Sequence, residues 1–563
     1  MIKLQNLSFR YSGTQKPALR GINLEVGDGE FVLLTGPSGG GKSTLCRCLN
    51  GLVPHFYGGE LSGKVEVEGL DVLTSSTRQL ATRVGMVFQD PENQTVATDV
   101  EREIAFGLEN LALPRELMVR RVEEALDSAG ITHLRRQPVT ELSGGERQKI
   151  AIAAVLVLHP SILVLDEPTS ELDPRGAEEV LNLVERLNDE LGLTIILVEH
   201  RLDRVVQHVD RVIVLKDGEL LSDGSPREVL GEMAQGEIGL PPVVRLARGL
   251  KARGITFADT PLTVKEGRAI LAEVLRERKL SPSEPPRYNL EPRSSPLGPE
   301  PRAPLIEVKK LHFAYEGEVT VLKDINLQIF EGEFVALMGR NGSGKTTLVK
   351  HFNGLLKPTR GEVIVDGLNT RDTSVATLAR KVGYVFQNPN VHLLAESVEE
   401  EIAFTLKNLG FKGEEKQKQI EKVLERFDLT RYRSQYPRSL SGGEKQRVAI
   451  ASVLAAQPKI IILDEPTRGM EYQLKSELME FLNEYRKDGR AVILVTQDVE
   501  LVAEHADRVI LLNEGRIVAE GDKREVLSGA LLFSPQINRL AQSLRNHGLP
   551  HDILTADEVL GLL

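Results

Sequence analysis

The sequence predicts an α/β fold made of two copies of one domain in tandem, each ending in a small helical C-terminal tail. Three observations carry that reading. Four distinctive segments recur across the chain. In each copy, apolar strand-like runs alternate with helical stretches rich in Glu, Arg and Leu. A glycine-rich loop directly follows an apolar strand in both copies.

The duplication is explicit. Gly36-Pro37-Ser38-Gly39-Gly40-Gly41-Lys42-Ser43 matches Gly339-Arg340-Asn341-Gly342-Ser343-Gly344-Lys345-Thr346. Gln89, Ser143 and Asp166 each recur 298 residues later, as Gln387, Ser441 and Asp464, within Val-Gly-x-Val-Phe-Gln, Leu-Ser-Gly-Gly-Glu and Leu-Asp-Glu-Pro-Thr. The predicted boundaries are 1–226 for the first domain, 227–280 for its tail, 281–304 for a linker, 305–523 for the second domain and 524–563 for its tail.

Taken in order, each copy opens on an alternation such as Ile2, Leu4 and Phe9. A buried strand, Phe31-Val32-Leu33-Leu34, then enters the glycine loop. Further apolar strands, Ile162-Leu163-Val164-Leu165 and Ile195-Ile196-Leu197-Val198, alternate with helices and predict a largely parallel sheet. The tail is duplicated too: Arg227-Glu228-Val229-Leu230 returns as Arg524-Glu525-Val526-Leu527. Residues 281–304 hold 8 of the 28 prolines and read as a semi-rigid spacer that tethers the halves.

Composition narrows the function. The chain has 563 residues, too many for a single binding module at roughly 150 residues per domain. Its 41% hydrophobic and 27% charged content exclude global disorder. A net charge of −11 disfavours a nucleic-acid binder. The longest apolar run, Ile150–Leu158, is nine residues against the ~20 that span a bilayer. The start, Met1-Ile2-Lys3-Leu4-Gln5, lacks a signal-peptide pattern. The two cysteines, Cys46 and Cys48, read as reduced thiols of a cytosolic chain.

The pattern G-x-x-x-x-G-K-[ST] after a strand is a phosphate loop. Its backbone N–H groups curl around phosphate oxygens, Lys42 and Lys345 supply charge, and Ser43 and Thr346 supply a Mg²⁺ ligand. The expected nucleotide contacts are Gly36, Pro37, Ser38, Gly39, Gly40, Gly41, Lys42, Ser43 and Thr44 in the first copy. In the second they are Gly339, Arg340, Asn341, Gly342, Ser343, Gly344, Lys345, Thr346 and Thr347. Asp166 and Asp464 end apolar strands and should hold the metal, and Glu167 and Glu465 should polarise the attacking water. Gln89 and Gln387 should reach the metal or the water, and Tyr11 and Tyr315 should stack on the base. Ser143-Gly144-Gly145 and Ser441-Gly442-Gly443 open helices and form a second anion site.

With those segments in place, the chain resembles the ABC-type ATPases over nearly its whole length. The resemblance implies ATP and Mg²⁺ as cofactors and two nucleotide-binding domains that sandwich two ATP molecules head to tail. Phe88-Gln89-Asp90-Pro91-Glu92-Asn93-Gln94, Val100–Phe106, Asn50-Gly51-Leu52-Val53-Pro54-His55 and Leu240-Pro241-Pro242 further resemble the ATPases of energy-coupling-factor importers of vitamins and metals. That resemblance implies an integral membrane scaffold and a substrate-binding membrane subunit as partners, with the chain peripheral on the cytoplasmic face. It also implies a γ-phosphate contact at His200, where the second copy has Gln497. Glutamine cannot relay a proton, so the two sites are expected to be unequal. Ser170-Glu171-Leu172-Asp173 fits the family's loop across the pair, whereas Arg468-Gly469-Met470-Glu471 does not. Lys42, Glu167 and His200 should work with Ser441 and the Glu471 loop, and Lys345, Glu465 and Gln497 with Ser143 and the Asp173 loop.

The competing class is a soluble twin ATPase of translation or DNA repair. Against it stand the lack of zinc or iron–sulfur cysteines, the lack of room for a coiled coil between Lys42 and Asp166, and a linker that is proline-rich rather than charged and helical. A sugar importer with twin ATPase domains lacks support from the Phe88–Gln94 segment. The docking surface for the scaffold is expected at the acids Asp99, Glu101 and Glu103 and Glu396, Glu399, Glu400 and Glu401. Ile104, Ala105, Phe106, Ile402, Ala403 and Phe404 should line the same helix face.

Overall fold

The computed structural model describes residues 1–89, 91, 94–170, 172–233, 236, 238–278, 303–316, 320–467, 470 and 472–563. The linker reading (281–304) lies outside the described residues up to residue 302, as do Asp90, Glu92, Asn93, Glu171, Arg468, Gly469 and Glu471. Contacts divide the chain into two units. One comprises Met1–Val244, Phe257–Thr263 and Glu471–Gln473; the other comprises Arg245–Thr256, Val264–Met470 and Leu474–Leu563.

In the first unit a six-stranded sheet runs Glu219–Gly224, Arg211–Lys216, Phe31–Thr35, Thr194–Val198, Ile162–Asp166, Val84–Val87. All neighbours are parallel except the Glu219–Gly224 edge. Ile162–Asp166 is buried along its whole length. Leu163 and Leu165 enter one core, with the helices Val100–Asn110, Arg115–Ser128, Gly144–Leu156 and Pro174–Leu191. Ile162 and Val164 enter another, with the helix Lys42–Leu49 and a second sheet. Burial on both faces is why this strand is an unbroken apolar run in the sequence.

That second sheet is antiparallel, in the order Leu19–Val26, Ile2–Tyr11, Gly59–Val67, Leu70–Asp71. It differs from the single, largely parallel sheet read from the sequence. Its strands are buried on one face only, with the alternation interrupted, so each carries a weaker signal than a central strand. Cys46 and Cys48 are free and lie in the core it covers; burial pushes the Cys48 thiol up to about 12 and Cys46 well up too.

The second unit repeats both sheets, in the orders Val382–Val385, Ile460–Asp464, Ala491–Val495, Phe334–Met338, Arg508–Asn513, Arg516–Asp522 and Thr320–Ile329, Ile306–Ala314, Arg360–Val365, Leu368–Asn369. It also contains tail helices from both halves of the sequence. Val264–Arg278 packs on Gln536–Ser543, with Leu271, Val274, Leu275, Ile537 and Leu540 buried. Arg253 Nη1 donates to the Leu560 carbonyl. No helix among the described residues is long and apolar enough to cross a membrane.

Candidate nucleotide and metal sites

Each phosphate loop joins a central strand to a helix, Lys42–Leu49 or Lys345–Phe352. The backbone turns through left-handed values at Gly36 (φ 133°), Gly39 (74°) and Gly41 (100°), and at Gly339 (148°), Gly342 (75°) and Gly344 (101°). A Cβ at Gly36 would lie 2.0 Å from the Leu215 carbonyl oxygen, and one at Gly339 2.2 Å from that of Leu512. Only glycine fits such a cradle, which keeps the loop's N–H groups together for an anion. Lys42 Nζ is buried at the loop and donates to the carbonyls of Gly36 (2.8 Å) and Pro37 (2.9 Å). Lys345 Nζ does the same at Gly339 and Arg340, both 2.8 Å.

Beside each loop stands the carboxylate that ends the neighbouring strand. Ser43 hydrogen-bonds Asp166, and Thr346 Oγ1 donates to Asp464 Oδ2 at 2.7 Å. A hydroxyl next to a carboxylate is an all-oxygen donor pair that suits Mg²⁺ when phosphate oxygens complete the shell, so the residues present fit Mg–ATP. Burial raises both aspartates. At Asp166 the adjacent Glu167 charge adds to it and the Ser43 hydroxyl opposes it; at Asp464 the hydroxyls of Thr346 and Tyr384 oppose it.

The next residues, Glu167 and Glu465, sit at φ 52° and 50°. A left-handed glutamate is uncommon, and its recurrence in both copies marks strain kept at a functional turn. Each is held through its backbone N–H, to the carbonyls of Val198 (3.0 Å) and Val495 (2.9 Å).

Around Glu167 the structure brings Gln89 and His200 together. Gln89 Nε2 donates to Glu167 Oε2 at 2.8 Å, and His200 Nε2 lies 2.9 Å from Glu167 Oε1. The buried Glu199 backs this cluster: its carboxylate accepts from Thr169 N (3.1 Å) and His200 N (3.2 Å), and burial pushes it up. Glu199 was missed by motif reading. The signal for it was the contrast of Val198-Glu199-His200 with Val495-Thr496-Gln497.

The second copy is wired differently. Gln497 Nε2 donates to Asn341 Oδ1 of the phosphate loop at 2.7 Å, and among the described residues the buried Gln497 Oε1 has no hydrogen-bond partner. Gln387, two residues beyond the strand Val382–Val385, is exposed. Tyr11 and Thr44 share a hydrogen bond at 3.1 Å, as do Tyr315 and Thr347 at 3.3 Å. Those bonds tether both tyrosines to the helices after the phosphate loops.

The Leu-Ser-Gly-Gly-Glu segments open the helices Gly144–Leu156 and Gly442–Leu454. Ser143 is the N-cap, and its N–H and hydroxyl both donate to Glu146, at 2.8 and 2.6 Å. Ser441 N donates to Glu444 at 2.8 Å. The glutamate of the motif is thus a capping-box partner, and Ser, Gly and Gly present the helix N-terminus. Asp173 caps the helix Pro174–Leu191, accepting from Gly176 N at 2.7 Å.

The acidic docking surface is corrected by the structure. Asp99 caps the helix Val100–Asn110, and Glu101 accepts from Arg135 at 2.6 Å. Glu103 is buried and accepts from Val96 N (2.9 Å) and Ala97 N (2.7 Å). The second copy repeats this with Glu399 and Arg433, and with Glu401 on Leu394 N (2.7 Å) and Ala395 N (2.8 Å). Ile104 and Ile402 are core. These carboxylates are spent on internal donors, and Glu396 and Glu400 are the exposed ones in the second copy. Glu103→Ala or Glu401→Ala should cost about 1–3 kcal/mol, the desolvation cost of orphaned N–H groups. Urea unfolding checks this; unchanged midpoints would contradict it.

The ABC transporter family profile matches residues 19–170 and 322–468. A putative ABC transporter ATP-binding protein of Methanosarcina mazei is 40% identical over 100% of this chain and 97% of its own length. One from Caldanaerobacter subterraneus is 41% identical over 93% of this chain and 92% of its own. Among solved structures, cbiO1 of Clostridium perfringens, part of the ABC transporter complex cbiONQ, is 33% identical with a TM-score of 0.38, covering 43% of this chain and 95% of its own.

Proposed function

Because the chain belongs to the ABC transporter family, as a tandem ATPase that binds and hydrolyses ATP with Mg²⁺, we propose that it is the motor subunit of an importer of the energy-coupling-factor type. It energises uptake of a vitamin, a vitamin precursor or a metal ion. It works from the cytoplasmic face of the membrane through an integral scaffold and a substrate-binding subunit. The segments Phe88–Gln94 and Val100–Phe106 and their repeats support this subtype.

The observation that carries the membrane-partner reading is the set of exposed large apolar side chains that follows each glutamine. Val96 and Phe106 are 66% and 41% exposed in the first copy, and Val391, Leu394 and Phe404 are 62%, 66% and 49% exposed in the second. Val96 and Phe106 recur as Leu394 and Phe404, and exposed apolar side chains kept at the same places in both copies suit a contact surface. The motion of Gln89 and Gln387 reaches a scaffold through these side chains rather than through the neighbouring acids.

The test replaces Val96 and Phe106, and in a second variant Leu394 and Phe404, with Asp. Scaffold capture in a pull-down should be lost while ATP hydrolysis by the free chain stays within about twofold, as surface changes usually allow. Full capture by the fourfold variant would sink this surface. Purification of the wild-type chain with ribosomes or DNA, and without a membrane protein, would favour the twin ATPase of translation or repair.

The sites are unequal within this reading. The His200 site is the faster one. The Gln497 site is the slower.

A further inference from the structure

The strands that lead to Gln89 and Gln387 differ at one buried position. Tyr384 stands in the second copy where Met86 stands in the first. Its hydroxyl reaches across to the neighbouring strand and donates to Asp464 Oδ2 at 3.0 Å, the same oxygen that accepts from Thr346 at 2.7 Å. The ring is fixed edge-on against Phe386, with centroids 4.7 Å apart. Met86 makes no such contact; its sulfur accepts from Asn50 Nδ2 at 2.9 Å. In the corresponding role, Asp166 has the Ser43 hydroxyl among the described residues.

The geometry points to Tyr384 as a positioning residue for Mg²⁺ at the second site, one that the first site lacks. Two hydroxyls on Oδ2 fix the carboxylate plane and direct its remaining acceptor, Oδ1, away from them. A carboxylate locked in this way loses less rotational freedom when it meets the metal shell. The second site therefore holds Mg–ATP with less Mg²⁺ than the first. Together with Gln497, which bonds the phosphate loop at Asn341, this makes the second site the one that retains nucleotide between turnovers. A buried tyrosine hydroxyl needs some acceptor, and a purely structural bond would leave metal dependence untouched.

The test uses the full chain with Lys42→Ala, so that binding reports the second site. Fluorescent mant-ATP is titrated with Mg²⁺ and also bound in EDTA. Tyr384→Phe should raise the Mg²⁺ needed for half-maximal binding roughly tenfold, the loss expected for one hydrogen bond to a charged group. Affinity in EDTA should stay within about twofold. Tyr384→Met, which copies the first site, should do the same. In the Lys345→Ala chain, Met86→Leu should leave the Mg²⁺ requirement of the first site unchanged. An unchanged Mg²⁺ requirement in both Tyr384 variants, a parallel loss in EDTA, or an equal shift from Met86→Leu would overturn the assignment.

Discussion

Glu167→Gln should stop hydrolysis at the first site, by roughly 10²-fold or more, while ATP still binds. The side chain accepts from Gln89 and pairs with His200, so an amide of the same shape keeps the site assembled. What the amide cannot do is take a proton from water or favour its attack. The left-handed turn at residue 167 is backbone geometry and is unaffected by the exchange. Single-turnover assays with radiolabelled ATP should show intact nucleotide retained on the protein. Lys42→Ala should act on a different step, because removing the buried ammonium weakens the grip on phosphate. Wild-type turnover in the Lys42→Ala, Lys345→Ala double variant would remove both loops from the reaction.

His200→Ala and Gln497→Ala should differ sharply. At the first site the imidazole lies 2.9 Å from Glu167, so its loss removes the group that hydrogen-bonds that carboxylate. A cost of about 10²-fold at that site is expected. Gln497 donates to Asn341 in the phosphate loop, so Gln497→Ala should loosen that loop and cost about threefold, the scale of one neutral hydrogen bond. Separate measurement at each site, with the opposite lysine replaced by Ala, checks the ratio. Equal losses would mean that the different wiring of the two copies has no kinetic meaning.

How much was legible in the sequence depended on how each residue is used. The phosphate loops, strand-end carboxylates and signature helices were readable because several residues at fixed spacing serve one ligand, and the duplication displayed each set twice. The central strands were readable because burial on both faces leaves no polar interruption. The antiparallel sheets were harder: half-buried strands alternate, and a bulge near Asn6 breaks the alternation of the first one. Contacts made across the fold left no local mark. Nothing around Glu103 announces that it clamps Val96 and Ala97, so the sequence alone places it on a docking surface. Tyr384 looks like an ordinary strand aromatic until the next strand brings Asp464 to its hydroxyl. Differences between the copies were the one sequence signal that pointed toward Tyr384 and Glu199.

The tail helices decide where this polypeptide can be divided. A cut in the linker would seem to release two independent ATPases. Yet Val264–Arg278, which precedes the linker, is packed in the second unit with Leu271 and Leu275 buried. A proteolytic nick between residues 279 and 302 therefore leaves the N-terminal fragment's helix seated among the C-terminal fragment's helices. The nicked protein should migrate as one species in native chromatography and as two under denaturing conditions. A second-half fragment begun at residue 303 would bare Ile537 and Leu540 to water and invite aggregation. Co-expression of the two fragments, each supplying its part of the helical cluster, is the division that the fold tolerates.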